Sequence, residues 1–213
     1  MKTKEFLVIA VLALGIIGIF ALFASSGGKS PQQREVQEVS SDASNHHKPP
    51  PPPDDSKFEA LLDTPAPEFS LKSYDGQDVS LSSFKGKNVV LFFSEGAMCY
   101  PSCWDQIVSF EKNAKEFAQE QAVVLTVVVD SKQEWQKAVF QMPALAKATV
   151  LLDIGGRVST EYGMLTLASS MHRGQFPGHT YIVVDKDGII RALLDDEQMG
   201  INDDKLLAEL AKI

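Results

Sequence analysis

NVVLFFSEGAMCYPSCW, residues 88–104, decides the fold. Val89, Val90, Leu91, Phe92 and Phe93 form an unbroken apolar run. It is short enough for a strand and has no polar alternation to face solvent, the pattern of a strand buried on both faces of a sheet. Cys99 and Cys103 follow at once, with Pro101 between them. A proline suits the first turn of a helix because it has no amide hydrogen to leave unpaired. Ile107, Phe110, Ala114, Phe117 and Ala118 then recur at helical offsets, which predicts one helix over 101–119. Two cysteines therefore sit where a buried strand hands over to a helix.

The pattern continues outward in both directions. Upstream, Phe69 and Leu71, then Val79 and Leu81, alternate around Asp75 and Gly76 as a hairpin does. Downstream, residues 123–129 read as a second buried strand ended by Asp130, and 134–141 as a helix cut by Pro143. Residues 149–152 make a short strand, and 157–162 a short helix closed by Gly163. Residues 181–184 and 189–193 flank Lys186, Asp187 and Gly188, a hairpin signal. Asp203 is placed to cap a last helix carrying Leu206, Leu207, Leu210 and Ile213. Strands alternating with helices give an α/β layered domain, a sheet with helices on both faces.

Charge and composition exclude several functions. With 28 Asp and Glu against 20 Lys and Arg, the net charge is −8, and a nucleic-acid binder wants a basic face. Acidic and basic side chains balance over residues 1–58, so the whole −8 lies on 59–213. Two cysteines are too few for a disulfide scaffold or a four-cysteine zinc site.

Residues 6–24 carry no charged side chain and, as a helix, would span about 28 Å, close to a bilayer core. Lys2 and Lys4 before them put the N-terminus in the cytoplasm. Residues 1–24 are thus expected to be a single transmembrane anchor. The competing reading is a cleaved signal peptide with a site near Ala24, Ser25 and Ser26, whose apolar part would usually run about 7–15 residues. Either way the rest of the chain is expected outside the cytoplasm. Residues 25–58, polar and with prolines at 49–53, read as a disordered linker, and 59–213 as one domain. His46 and His47 in that linker read as solvated.

If the helix starts near Pro101, Cys99 lies at its N-terminal edge, where free amides and the dipole favour a thiolate. Four residues along a helix separates Cα atoms by about 6 Å, within the range a disulfide accepts. A ring this small constrains the unfolded chain little, so redox or metal chemistry outweighs a structural staple.

Residues 64–71 (TPAPEFSL), Asp75 with Gly76, residues 79–81 and 84–87, the FF strand, Asp153 with Gly156, Tyr162 with Gly163, and residues 180–188 together resemble the thioredoxin-fold redoxins. That superfamily includes membrane-anchored thiol-disulfide reductases of cytochrome c maturation and the alkyl hydroperoxide reductase/thiol-specific antioxidant (AhpC/TSA, peroxiredoxin) proteins. The resemblance implies a thioredoxin-like fold, a central mixed sheet with helices on both faces and an N-terminal hairpin extension. Three departures stand out. The anchored reductases typically carry Cys-x-x-Cys, and here one more residue intervenes. Peroxiredoxins typically have Thr or Ser three residues before the peroxidatic cysteine, a position held by Gly96 for Cys99 and Tyr100 for Cys103. Thioredoxins place a cis-proline before the strand facing the cysteines, where this chain has His179.

Cys-x-x-x-Cys with a later histidine also resembles the copper chaperones of cytochrome oxidase assembly. Under that alternative Cys99, Cys103 and His179 would be the ligands, a soft set suited to copper. The main expectation is a membrane-anchored, extracytoplasmic bacterial thiol-disulfide oxidoreductase that needs no cofactor. Cys99 would attack a partner protein's disulfide and Cys103 would resolve it, with His179 moving protons and a membrane thiol carrier supplying electrons. A peroxiredoxin-like peroxidase is the further alternative. Glu95 and Asp105 are candidate proton carriers, Trp104 and Phe93 packing residues, and residues 165–178, with His172 and Arg173, an inserted loop.

Overall fold

The computed structural model describes residues 50–213. The anchor expected over 1–24, most of the linker, and His46 and His47 lie outside them.

Seven strands make one mixed sheet: β1 (Ser70–Ser73), β2 (Asp78–Ser80), β3 (Asn88–Phe93), β4 (Ala122–Val128), β5 (Val150–Leu152), β6 (Thr180–Val184) and β7 (Ile190–Asp195), in the spatial order β2-β1-β5-β4-β3-β6-β7. β3 pairs in parallel with β4, from Asn88 opposite Ala122 to Phe93 opposite Val127, and β4 in parallel with β5. β6 runs antiparallel to β3 and to β7. The hairpin β1-β2 joins through β1 to β5. The expected thioredoxin-like arrangement, with its N-terminal hairpin, is the one observed.

Period-two alternation distributes the apolar strands between two layers. Val90 and Phe92 on β3, with Tyr181 and Val183 on β6, face one side and pack with Trp104, Ile107, Phe110, Trp135 and Leu206. Val89, Leu91 and Phe93, with Ile182 and Val184, face the other and pack with Phe58, Phe69, Val158, Tyr162 and Leu167. All six residues of β3 are buried, which is why its sequence carries no polar alternation.

The helices are α1 (Ser56–Glu59), α2 (Ser102–Lys112), α3 (Ala114–Gln119), α4 (Lys132–Gln141), α5 (Arg157–Glu161) and α6 (Asp203–Leu210). The single helix expected over 101–119 is two, divided at Asn113. The division lets Phe117 turn into the layer holding Phe110, their rings 5.6 Å apart. α4 begins two residues before its expected start, because Ser131 and Glu134 form a reciprocal capping box. Asp203 is not the cap of α6. Asn202 holds that place, and the Asp203 carboxylate is drawn back to α2, where it accepts from Gln106 Nε2, Ser109 Oγ and Asn113 Nδ2. Packing reaches back before Glu59, with Phe58 in the core and the Asp54 amide donating to the Thr166 carbonyl at 2.9 Å.

Among the described residues no helix is long and apolar enough to cross a membrane.

Leu91 is fully buried at the centre of the sheet. Leu91→Ala is expected to lower the unfolding free energy by about 2–5 kcal/mol, read by urea denaturation, and a loss under about 1 kcal/mol would contradict this packing.

Candidate active site

Cys99 and Cys103 lie beyond the carboxyl end of β3, where ligand and reaction sites gather in parallel α/β sheets. The chain leaves β3 through Ser94 and Glu95 and makes a 3-10 turn over Gly96–Met98. Cys99 ends that turn, and α2 begins at Ser102 after a cis Tyr100-Pro101 bond. Cys103 donates its backbone N–H to the Cys99 carbonyl at 3.0 Å. The two cysteines form a disulfide with Cα atoms 5.4 Å apart. Cys99 is therefore just outside the helix, with the first turn of α2 behind it. It is 4% exposed and Cys103 not at all, while Met98 and Tyr100 on either side of Cys99 are exposed.

His179, one residue before β6, is brought to the pair by the antiparallel pairing of β6 with β3. Its Nδ1 lies 3.4 Å from Cys103 Sγ. Its Nε2 lies 3.0 Å from the Gly200 carbonyl and 2.6 Å from the Tyr181 hydroxyl. The Phe92 ring stands edge-on at 4.8 Å. Burial pushes the imidazole pKa down, opposed only in part by the Gly200 carbonyl and by Asp195 and Asp196. The ring is therefore held neutral. Ligand atoms of Cys99, Cys103 and His179 fall within 4.8 Å of one another. In the disulfide neither sulfur is a thiolate, so the trio becomes a donor set only after reduction.

Behind His179 lies a polar group unforeseen in the sequence. Tyr181, Gln106, Asn202 and Asp203 are all buried and joined by hydrogen bonds. The available signal was Gln106 itself, a polar residue inside the apolar stripe that Cys103, Ile107 and Phe110 trace along α2.

Other expected neighbours fall differently. Phe93 faces the opposite layer, beside Tyr162, and Phe92 is the aromatic beside the site. Trp104 packs as expected and donates its indole N–H to the Gly96 carbonyl at 3.1 Å. Asp105 is exposed in the first turn of α2. Glu95 is 1% exposed and holds the loop over 165–178 against the site. It accepts from the amides of Met171 at 2.8 Å and His172 at 3.2 Å, and it faces His172 Nδ1 at 3.2 Å. Arg173 ties the same loop to the Pro51 and Ser170 carbonyls. That loop also serves His179, whose amide donates to Ser169 Oγ at 2.9 Å.

Gly96 is required where it stands. Its φ is +65°, and a Cβ would sit 1.7 Å from Asp130 Oδ2. Asp130 occupies that space because its carboxylate accepts the Ala97 amide at 3.0 Å and so anchors the cysteine turn. Burial pushes the Asp130 carboxyl up to about 6, against the pull of the Ala97 bond. A carboxyl that holds its proton more tightly when folded favours the folded state at acid pH. That contribution fades as pH rises from 3.8 through about 6. Asp130→Asn should therefore gain stability relative to wild type between about pH 4 and about pH 7, followed by urea midpoints; a difference constant with pH would contradict the burial.

The AhpC/TSA family profile matches residues 62–193. Peroxiredoxin Q of Suaeda salsa chloroplasts is 31% identical over 62% of this chain and 58% of its own length. Its counterpart in Sedum lineare is 34% identical over 63% of this chain and 68% of its own. The chain thus spans about three-fifths of the Suaeda relative. Among solved structures, the peroxidoxin BcpB of Mycobacterium tuberculosis aligns with a TM-score of 0.61 at 26% identity, over 72% of this chain and 97% of that one.

These relatives correct the expectation of a membrane-anchored thiol-disulfide oxidoreductase. The membrane placement, the export of the domain and the membrane thiol donor rested on residues 1–24, outside the described part, and no described helix supports them. A match over residues 62–193 decides the family: the chain belongs to the AhpC/TSA family.

Proposed function

We propose that this chain is a thiol peroxidase working through Cys99 and Cys103. The observation that carries the reading is the closed disulfide at the head of α2, in a chain whose relatives are named peroxiredoxin Q. The Cys99 thiolate, favoured by the N-terminal dipole of α2, attacks the near oxygen of a hydroperoxide. The O–O bond breaks, Cys99 becomes a sulfenic acid, and the other oxygen leaves as water or an alcohol after taking a proton. Cys103 then attacks the sulfenic sulfur, giving the disulfide and a molecule of water. Its thiol proton has an acceptor in the neutral His179 at Nδ1. An external thiol reduces the pair again.

Cys99 is the better entry point, since its neighbours Met98 and Tyr100 are exposed and Cys103 is sealed. A cleft of about 460 Å³, lined in part by Ala97, Met98, Trp104 and Phe176, opens beside the turn. Gly96 stands where a Thr or Ser would otherwise help bind peroxide.

Three variants test the reading. Cys99→Ser is expected to reduce peroxide consumption to the uncatalysed rate. Cys103→Ser should complete one turnover and accumulate a sulfenic acid that dimedone labels at Cys99. His179→Gln should leave peroxide attack at Cys99 in place and slow disulfide closure by about 10²-fold or more, the usual worth of a positioned base. Undiminished consumption by Cys99→Ser, or no consumption by wild type, contradicts the proposal. Uptake of one copper ion per reduced chain without peroxide consumption would favour the copper alternative instead.

A further inference from the structure

We propose that Gln106, by accepting the Tyr181 hydroxyl proton, is a positioning residue that lets the Gly200 carbonyl keep the His179 proton on Nε2, so that the Nδ1 lone pair faces Cys103. The inference rests on the peroxidase reading and deepens it at the step where Cys103 closes the disulfide.

The direction of each proton follows from groups that have no choice. The Gly200 carbonyl, 3.0 Å from Nε2, offers only lone pairs, so Nε2 carries the hydrogen. The Gln106 amide cannot be reversed. The backbone N–H of Asn202 reaches Gln106 Oε1 at 2.7 Å, and Gln106 Nε2 donates to Asp203 Oδ1 at 2.6 Å. Tyr181 has one hydroxyl proton, and it goes to Gln106 Oε1 at 2.9 Å. The phenol oxygen then turns its lone pairs to His179 Nε2 at 2.6 Å and to Asn202 Nδ2 at 3.3 Å. Burial raises the Tyr181 pKa far above its ordinary value, so the hydroxyl keeps that proton. Each of these five side chains is at most 3% exposed. Asp203 closes the far end, held also by Ser109 and Asn113.

The chain of donors therefore runs one way, from His179 through Tyr181 to Gln106. In the disulfide Cys103 has no hydrogen, and the 3.4 Å approach to Nδ1 is a packing contact. After reduction the Cys103 S–H has a bare nitrogen in front of it. During closure the S–H bond breaks toward Nδ1, the S–S bond forms, and the S–O bond of the Cys99 sulfenic acid breaks. The departing hydroxide takes the proton back from the imidazolium and leaves as water. The two-electron oxidation that Cys99 received from peroxide is shared between the two sulfurs of the disulfide, so no further oxidant is needed.

Removing the Gln106 acceptor reverses the arrangement. Among the described residues, the remaining acceptor within reach of the Tyr181 proton is then His179 Nε2. The Tyr181 hydroxyl then competes with the Gly200 carbonyl for Nε2, and as it donates there the imidazole hydrogen moves to Nδ1, where it blocks Cys103.

Nitrogen NMR of the imidazole in the reduced protein tests the assignment directly. Wild type is expected to show a protonated Nε2 and a bare Nδ1, and Gln106→Leu the opposite. Disulfide closure, timed by the decay of the Cys99 sulfenic acid, should slow about tenfold or more in Gln106→Leu. In the double variant Gln106→Leu with Tyr181→Phe no phenolic proton competes, so most of the lost rate should return. A wild-type spectrum with hydrogen on Nδ1 overturns the proposal, and so does a double variant as slow as Gln106→Leu. Should Gln106→Leu not fold, Tyr181→Phe alone decides. It must keep hydrogen on Nε2, held by Gly200, and a shift to Nδ1 overturns the proposal. The spectrum is recorded without peroxide, so failure of the peroxidase reading and failure of this assignment are seen separately.

Discussion

A neutral imidazole 3.4 Å from the deeper of two sulfurs, inside an apolar layer, is the constraint on which the rest of this site depends. A buried polar atom without a partner costs about 1–3 kcal/mol, so a histidine can be kept there only if its far nitrogen is satisfied. Satisfying it recruits Gly200 and Tyr181, Tyr181 recruits Gln106, and Gln106 recruits Asn202 and Asp203. The network thereby binds α2, the start of β6 and the start of α6 into one body. Its members are packed by Phe92, whose ring stacks on Tyr181 at 4.7 Å and meets His179 edge-on.

A second set of contacts holds the cysteine turn from the other side. Asp130 takes the Ala97 amide and fills the space beside Gly96, while Trp104 takes the Gly96 carbonyl. Glu95 then holds the 165–178 loop by its Met171 and His172 amides, and Ser169 in that loop takes the His179 amide. The turn is thus fixed by its backbone, which leaves Cys99 and Cys103 free to open and close. A site of this kind suits a thiol that cycles between two oxidation states more than it suits a staple, because the framework does not depend on the S–S bond.

The fold was readable because burial on both faces writes itself as an unbroken apolar run. Residues 89–93 are such a run and 122–128 one interrupted only by Thr126, and the turn signals at Asp75-Gly76 and 186–188 bracket hairpins that exist. The break at Asn113 was not readable, since the apolar offsets pass through it unchanged. The cysteines and His179 could be brought together only through the redoxin resemblance, which supplies the strand pairing that periodicity lacks. Asp203 shows the limit most clearly. A carboxylate at the start of a helix reads as a cap, yet its partners lie on another helix ninety-odd residues away. Residues 6–24 show another limit: their composition reads as a bilayer span, and they lie outside both the described residues and the family match over 62–193.

Peroxide stoichiometry tests the central claim most directly. Fully reduced protein mixed anaerobically with one equivalent of hydrogen peroxide, then quenched and mapped by mass spectrometry, should lose both thiols together. A Cys99–Cys103 disulfide should account for the peroxide consumed, and it should form far faster than free cysteine reacts. Thiols that survive the peroxide, or a Cys99 that proceeds to sulfinic acid while Cys103 stays reduced, would contradict the account.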